Sequence, residues 1–132
     1  MQGDDILESV YKILPAFKSF GQEYVWEWYG EKLGEDVFQD MSALSSFVSE
    51  ALTNHEDYNY QCFFNYIETL VTHHDEKIST ASTTNFLENL INTSSSGTFD
   101  SRSFTKYLGP KSIEYCKAWD EFCGAKTPGL WD

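Results

Sequence analysis

His73, His74 and Asp75 form the densest cluster of imidazole and carboxylate in this chain, a combination that serves metal binding or proton transfer. Ligands sharing one helical face need a spacing of three or four residues, whereas neighbours on a regular helix point about 100° apart. The two histidines therefore do not converge on one ion, and their place at a helix C-terminus suits imidazoles that face exposed carbonyls. Carboxylate pairs are the second candidate: Glu23 with Glu27, and Glu27 with Glu31, stand four apart on one helix face. Such pairs do acid–base work when buried together. Nothing marks these as buried, and a solvated acidic stripe is expected. Cys62, Cys116 and Cys123 include no CxxC, so they give neither a zinc pattern nor a disulfide framework. Reduced core thiols are expected, with Cys116 and Cys123 on one face of a helix. No GxSxG elbow and no glycine-rich phosphate loop occurs. The expectation is a protein that is not an enzyme and carries no cofactor or metal.

A different chemistry is written into residues 23–36, EYVWEWYGEKLGED, where aromatic rings alternate with acids. Tyr24, Trp26, Trp28 and Tyr29 span most of a helix circumference and cannot all face inward. Val25, Trp28 and Tyr24 are expected to pack, while the acids around them stay wet. Charge is uneven along the chain. Residues 1–32 carry six acids and three lysines, residues 33–76 nine acids and no Lys or Arg, and residues 77–132 six of each; the total is −12. A field of that sign repels nucleic-acid phosphates and attracts a basic protein, speeding the encounter. Acidity also serves plain solubility. Its concentration in one third of the chain favours a partner.

The elements that must position these residues read as helices. The chain has 132 residues, enough for one domain with its own core, and its 17% aromatic content argues against disorder. Ile6, Leu7, Val10 and Leu14 follow Asp4 and Asp5 at helical spacing. Pro15 ends this helix, kinks it or opens the next turn. A second helix closes at Gly30. The run from Val37 to Leu52 is strongly amphipathic, and Tyr60 to Val71 follows the TNHED break. Asp75 caps a further helix bearing Ile78, Ala81, Phe86, Leu87, Leu90 and Ile91, although its middle, STASTTN, is poor in helix formers. A short helix from Ser101 to Leu108 stops at Gly109. Pro110 opens the last one, which carries Ile113, Cys116, Trp119, Phe122 and Cys123. The predicted fold is all-α: a compact single-domain bundle of six to seven helices, with stacked antiparallel hairpins one form of it. The domain spans 1–132, with a core over about 4–123 and an irregular tail at 124–132 in which Trp131 is docked or free. No apolar run approaches the roughly 20 residues that span a bilayer, and acids stand where a secretory signal needs basic residues. A soluble, cytoplasmic protein is expected.

Two segments, LPAFKSFGQEYVWEWYGE and YLGPKSIEYCKAW, together with DVF and the FFNYIETL helix between them, resemble a family of small, acidic, helical bacterial immunity proteins. These stand beside polymorphic toxins, including those of contact-dependent growth inhibition. The resemblance covers about residues 5–123, and Gly109-Pro110-Lys111 is its best motif. It implies a cognate toxin domain as partner, often a basic nuclease, whose active site or substrate face is blocked by carboxylates standing in for phosphates. The expected contact surface is Glu35, Asp36, Asp40, Glu50, Glu56, Asp57, Glu68 and Asp75, with Trp26 and Tyr58 as aromatic anchors. No nucleic acid or membrane is expected as partner, and a monomer is favoured. The alternative is an acidic helical adaptor, or an inhibitor of another protein that mimics nucleic acid.

Overall fold

The positions spaced by three and four in the first segment, Ile6, Leu7, Val10 and Leu14, are all buried, and most of them ride on helix α1 (Gln2–Ile13). The computed structural model describes the backbone of residues 2–132 and the side chains of residues 5–132; the expected place of Asp4 at the helix start lies outside the described residues. Pro15 sits in the turn that separates α1 from α2 (Phe17–Tyr29). Gly30 closes α2 in the left-handed conformation, φ 66°, and its N–H donates to the Trp26 carbonyl. Asp36 accepts from Phe38 N and so caps α3 (Val37–Thr53). Asn59 does the same for α4 (Tyr60–Val71) by accepting from Cys62 N.

Helix α5 runs over residues 76–95. Asp75 caps it as expected by accepting from Lys77 N. Its ends, Glu76–Thr80 and Asn89–Ser95, are α-helical, and its middle, Ala81–Glu88, is π-helical. The polar STASTTN stretch explains the widening. Ser82 Oγ donates to the Ile78 carbonyl at 2.8 Å, and Thr83 Oγ1 donates to Ser79 and Thr80 at 3.1 Å. Hydroxyls that bond back to the preceding turn compete with the backbone N–H groups that would otherwise close it. Helices α6 (Arg102–Thr105) and α7 (Pro110–Cys123) complete the chain, with Pro110 in the first turn and left-handed Gly124 at the end.

The result is an all-α single domain, with seven helices and no strand among the described residues. Helix α3 lies at its centre, packed between α2 and α5, while α4 and α7 close over the other side of α5 and α1 bridges α2 and α4. Phe17, Phe63, Phe64, Phe86 and Phe104 are fully buried in the core, and truncating any one to Ala is expected to cost about 3–5 kcal/mol.

Several expectations need correction. Trp28 does not pack: it is 71% exposed, while Val25 beside it is fully buried. Cys62 and Cys123 are exposed rather than core thiols; Cys116 alone is buried, and burial, with Asp120 and Glu88 nearby, pushes its thiol up to about 12. Helix α7 turns a polar stripe inward, Ser112, Cys116 and Asp120, and leaves Phe122 exposed. The tail is irregular but docked. Buried Asp120 accepts from Thr127 N and Thr127 Oγ1 at 2.7 Å and from Trp131 Nε1 at 2.9 Å. Ser101 Oγ donates to the Pro128 carbonyl, and Leu130 is buried. Gly129, φ 95°, lies so close to Thr105 that a Cβ there would collide with its hydroxyl.

Candidate functional site

The fold spends several of the expected contact residues on its own backbone. Asp36 and Asp75 are helix caps. Glu68, on α4, reaches across to the start of α7, where its carboxylate accepts from Lys111 N at 2.8 Å, Ser112 N at 2.9 Å and Ser112 Oγ at 2.8 Å. Burial would raise the Glu68 carboxyl, but these donated bonds and the Lys111 charge outweigh it and leave the group below its ordinary value. Gly109 leaves room for the clamp, since a Cβ there would stand 2.6 Å from the Glu68 carboxylate. Asp40 departs furthest from the expected outward position. It is 4% exposed and accepts from Gly34 N at 2.9 Å. Burial pushes its carboxyl up to about 6; the Gly34 bond works against that and neighbouring Asp36 adds to it.

The other expected residues remain at the surface. Glu35 accepts from Lys32 N, and Glu56 accepts from Tyr58 Oη at 3.0 Å. Burial first, and then Glu56, raises the Tyr58 hydroxyl above its ordinary value. Asp57 and Glu50 are exposed. Trp26 is 64% exposed, about 200° round α2 from Tyr24 by helical spacing, so it faces away from the other rings.

What the structure brings together is a groove between α2 and α3, lined by Phe20, Glu23, Tyr24, Glu27, Trp28, Ser46 and Glu50, of about 370 Å³. Tyr24 and Trp28 stand one helical turn apart with ring centroids 5.9 Å apart, and Phe20 stacks on Tyr24 from the other side at 6.2 Å. Burial, with Tyr29 beside it, raises the Tyr24 hydroxyl and keeps it neutral. Among the described residues neither Glu23, Glu27 nor Glu50 forms an ion pair; the ion pairs that occur are Arg102 with Asp100 and Asp132, and Lys111 with Glu114. Of the ten expected residues only Glu50 lies in this groove. Glu23 and Glu27 were expected as a solvated stripe and Trp28 as a packed ring; the signal that would group them is two overlapping four-residue spacings, Glu23–Glu27 and Tyr24–Trp28, which place acids and rings on adjoining faces of one helix.

Adjoining the groove, and sharing Tyr24 and Ser46 with it, is a cleft of about 470 Å³ lined by Ser42, Ser45, Ser49 and residues of α5 including Asn89 and Asn92. Ser49 is 8% exposed, and among the described residues its buried Oγ has no hydrogen-bond partner. Asn92 also accepts from Trp119 Nε1 at 3.4 Å, and Trp119 stacks on Phe122, which is 81% exposed.

The histidines do something else. His73 Nδ1 accepts from Asp75 N at 2.9 Å, and the His73 and His74 rings stack at 4.5 Å. They shape the turn into α5. Among the described residues no group of three or more His, Cys, Asp or Glu is placed to hold a metal ion, and no helix is long and apolar enough to cross a membrane.

Fold and face together define a small all-α domain with an acidic and aromatic groove between α2 and α3 whose glutamates form no ion pair among the described residues. Residues 7–124 match a family profile described as Domain of unknown function (DUF7674), and the chain belongs to that family. No curated protein and no solved structure matches it.

Proposed function

We propose that this protein is a cytoplasmic, non-catalytic inhibitor that captures a basic protein domain on the face built by the C-terminal halves of α2 and α3. An immunity protein that neutralises a cognate toxin domain, such as a nuclease, is the specific form of this reading. The observation that carries it is the convergence of Glu23, Glu27 and Glu50 around Tyr24 and Trp28, with no ion pair to any of the three among the described residues. Exposed aromatics are the residues that anchor interfaces, and rings ringed by acids select a cationic one. The acid-rich residues 33–76, which hold no Lys or Arg, add a long-range field that speeds encounter with such a partner.

The test is co-expression with basic toxin domains, beginning with any encoded by the neighbouring gene, scored by growth protection and by complex formation in size-exclusion chromatography. Glu23→Lys, Glu27→Lys and Glu50→Lys together should abolish both while helicity is retained. Full protection by that triple variant would remove the acidic face from the mechanism.

A further inference from the structure

We infer that the connection between α2 and α3, residues 31–35, is a proton-operated strap: it lies closed while Asp40 is protonated and opens more readily once Asp40 ionises. This goes beyond the binding reading above and does not depend on any partner.

The strap is fastened at few points. It leaves α2 through Gly30 and carries a second left-handed residue, Gly34, φ 101°. Leu33 packs on the core beside Gly21, where an added Cβ would stand 3.0 Å from the Leu33 side chain. Beyond that apolar seat, two neighbouring side chains of α3 hold the strap down. Asp40 Oδ1 accepts from Gly34 N at 2.9 Å, and Gln39 Nε2 donates to Glu31 Oε1 at 2.6 Å. The Glu35 carboxylate turns back on the strap itself, to Lys32 N.

Both fastenings leave a buried polar group short of partners. Asp40 is almost fully buried with Gly34 N as its donor, and among the described residues it forms no ion pair. Gln39 Oε1 is buried and, among the described residues, has no hydrogen-bond partner. A lone ionised carboxylate and an orphaned amide oxygen both gain when water reaches them. Opening the strap admits water to the two together.

The charged groups nearby do not relieve Asp40. Asp36, at the start of the same helix, opposes its charge. In the strap, Glu31 and Glu35 are themselves acids, and Lys32 forms no ion pair among the described residues. From α2, Glu23 and Glu27 line the groove with Glu50, towards the far end of α3, and Lys18 lies over Tyr11. From α5, Glu76 and Lys77 are exposed, and Glu88 accepts from Tyr115 Oη. The Asp40 carboxyl accordingly rises from 3.8 to about 6. Between those values the closed strap keeps a proton that the open strap releases, so closure weakens as pH rises through the window and levels off above it.

Amide hydrogen exchange of the full chain, followed by NMR and corrected for the chemical exchange rate at each pH, tests this. The Gly34 amide should be less protected than the core amides of Val48 and Ile67, and its protection should fall about tenfold or more from about pH 4 to about pH 7. Asp40→Asn keeps an oxygen for Gly34 N and should abolish that fall, whereas Glu31→Gln should leave it in place. In the wild type, the Asp40 carboxyl carbon should titrate well above the ordinary carboxylate range. Gly34 protection equal to that of the core amides would mean that the connection opens only with the whole fold, and would overturn the strap. Protection of Gly34 that does not vary with pH, a fall that persists in Asp40→Asn, or an Asp40 carbon that titrates at or below its ordinary value would each do the same.

Discussion

Trp131 and Trp28 are both tryptophans beside acids, and the molecule treats them in opposite ways. Trp131 donates its indole N–H to Asp120 and has two lysines over its ring; it is 36% exposed. Trp28 has three glutamates around its groove and is 71% exposed, and among the described residues no cation lies over its ring. The difference lies in the supply of positive charge. Lys117 and Lys126 stand over the Trp131 ring, whereas among the described residues none of Lys12, Lys18 and Lys32, the bases of Trp28's own segment, lies over Trp28 or pairs with its glutamates. Around Trp131 the polar groups are spent on structure; around Trp28 they are held out, even though Asp36, Asp40, Glu68 and Asp75 of the acid-rich segment also bond the protein's own backbone.

Asp120→Ala should show the largest effect in testing that contrast. It strands three donors around a buried position and releases the tail, costing about 3–4 kcal/mol in urea unfolding, with new proteolysis within residues 124–132. Glu68→Ala should follow, at about 2–3 kcal/mol, because it unclamps α7. Its folded carboxyl lies below the ordinary value, so its contribution is present above that value and fades as pH falls through the folded one. Unfolding measured against pH should therefore lose part of its acid limb in Glu68→Gln.

Asp40 sharpens the comparison from the opposite direction, as an acid of the unpaired region that is nevertheless buried. Its carboxyl is raised from 3.8 to about 6, so between those values the folded state holds a proton that the unfolded state has released. Stability attributable to Asp40 falls as pH rises through that window. Asp40→Asn should raise stability at neutral pH by about 2 kcal/mol and flatten that slope, as read by thermal unfolding across the range. Trp28→Ala should shift stability by no more than about 0.5 kcal/mol. A large loss there would end the distinction between the two tryptophans.

The helices were legible in the sequence because burial repeats every three to four residues: Ile6 through Leu14, Phe63 through Leu70, and Phe86 through Ile91 all fall inside as read. So were the stops and starts at Gly30, Asp75 and Pro110, which depend on local backbone chemistry. Contacts between distant polar groups were not. Glu68 meets Ser112 across 44 residues, and Asp120 holds a tail that has no periodicity of its own. The inner face of α7 is polar, built by Ser112, Cys116 and Asp120, so apolar spacing does not mark it, and Cys123, expected as a core thiol, is exposed. At the site, periodicity identified an acidic and aromatic stretch but not which ring turns outward. The acids that cap helices are of the same type as those left free, and only their partners tell them apart.

The widened stretch Ala81–Glu88 has a practical meaning for variation in this domain. A wider turn absorbs a surplus residue while the faces before and after it keep their register. Removing one exposed position, Thr84, would let the helix tighten to ordinary pitch, shortening it without turning Ile78 or Leu90 out of the interior. Here, then, the chain should accept a gain or loss of length that would scramble any of its straight helices.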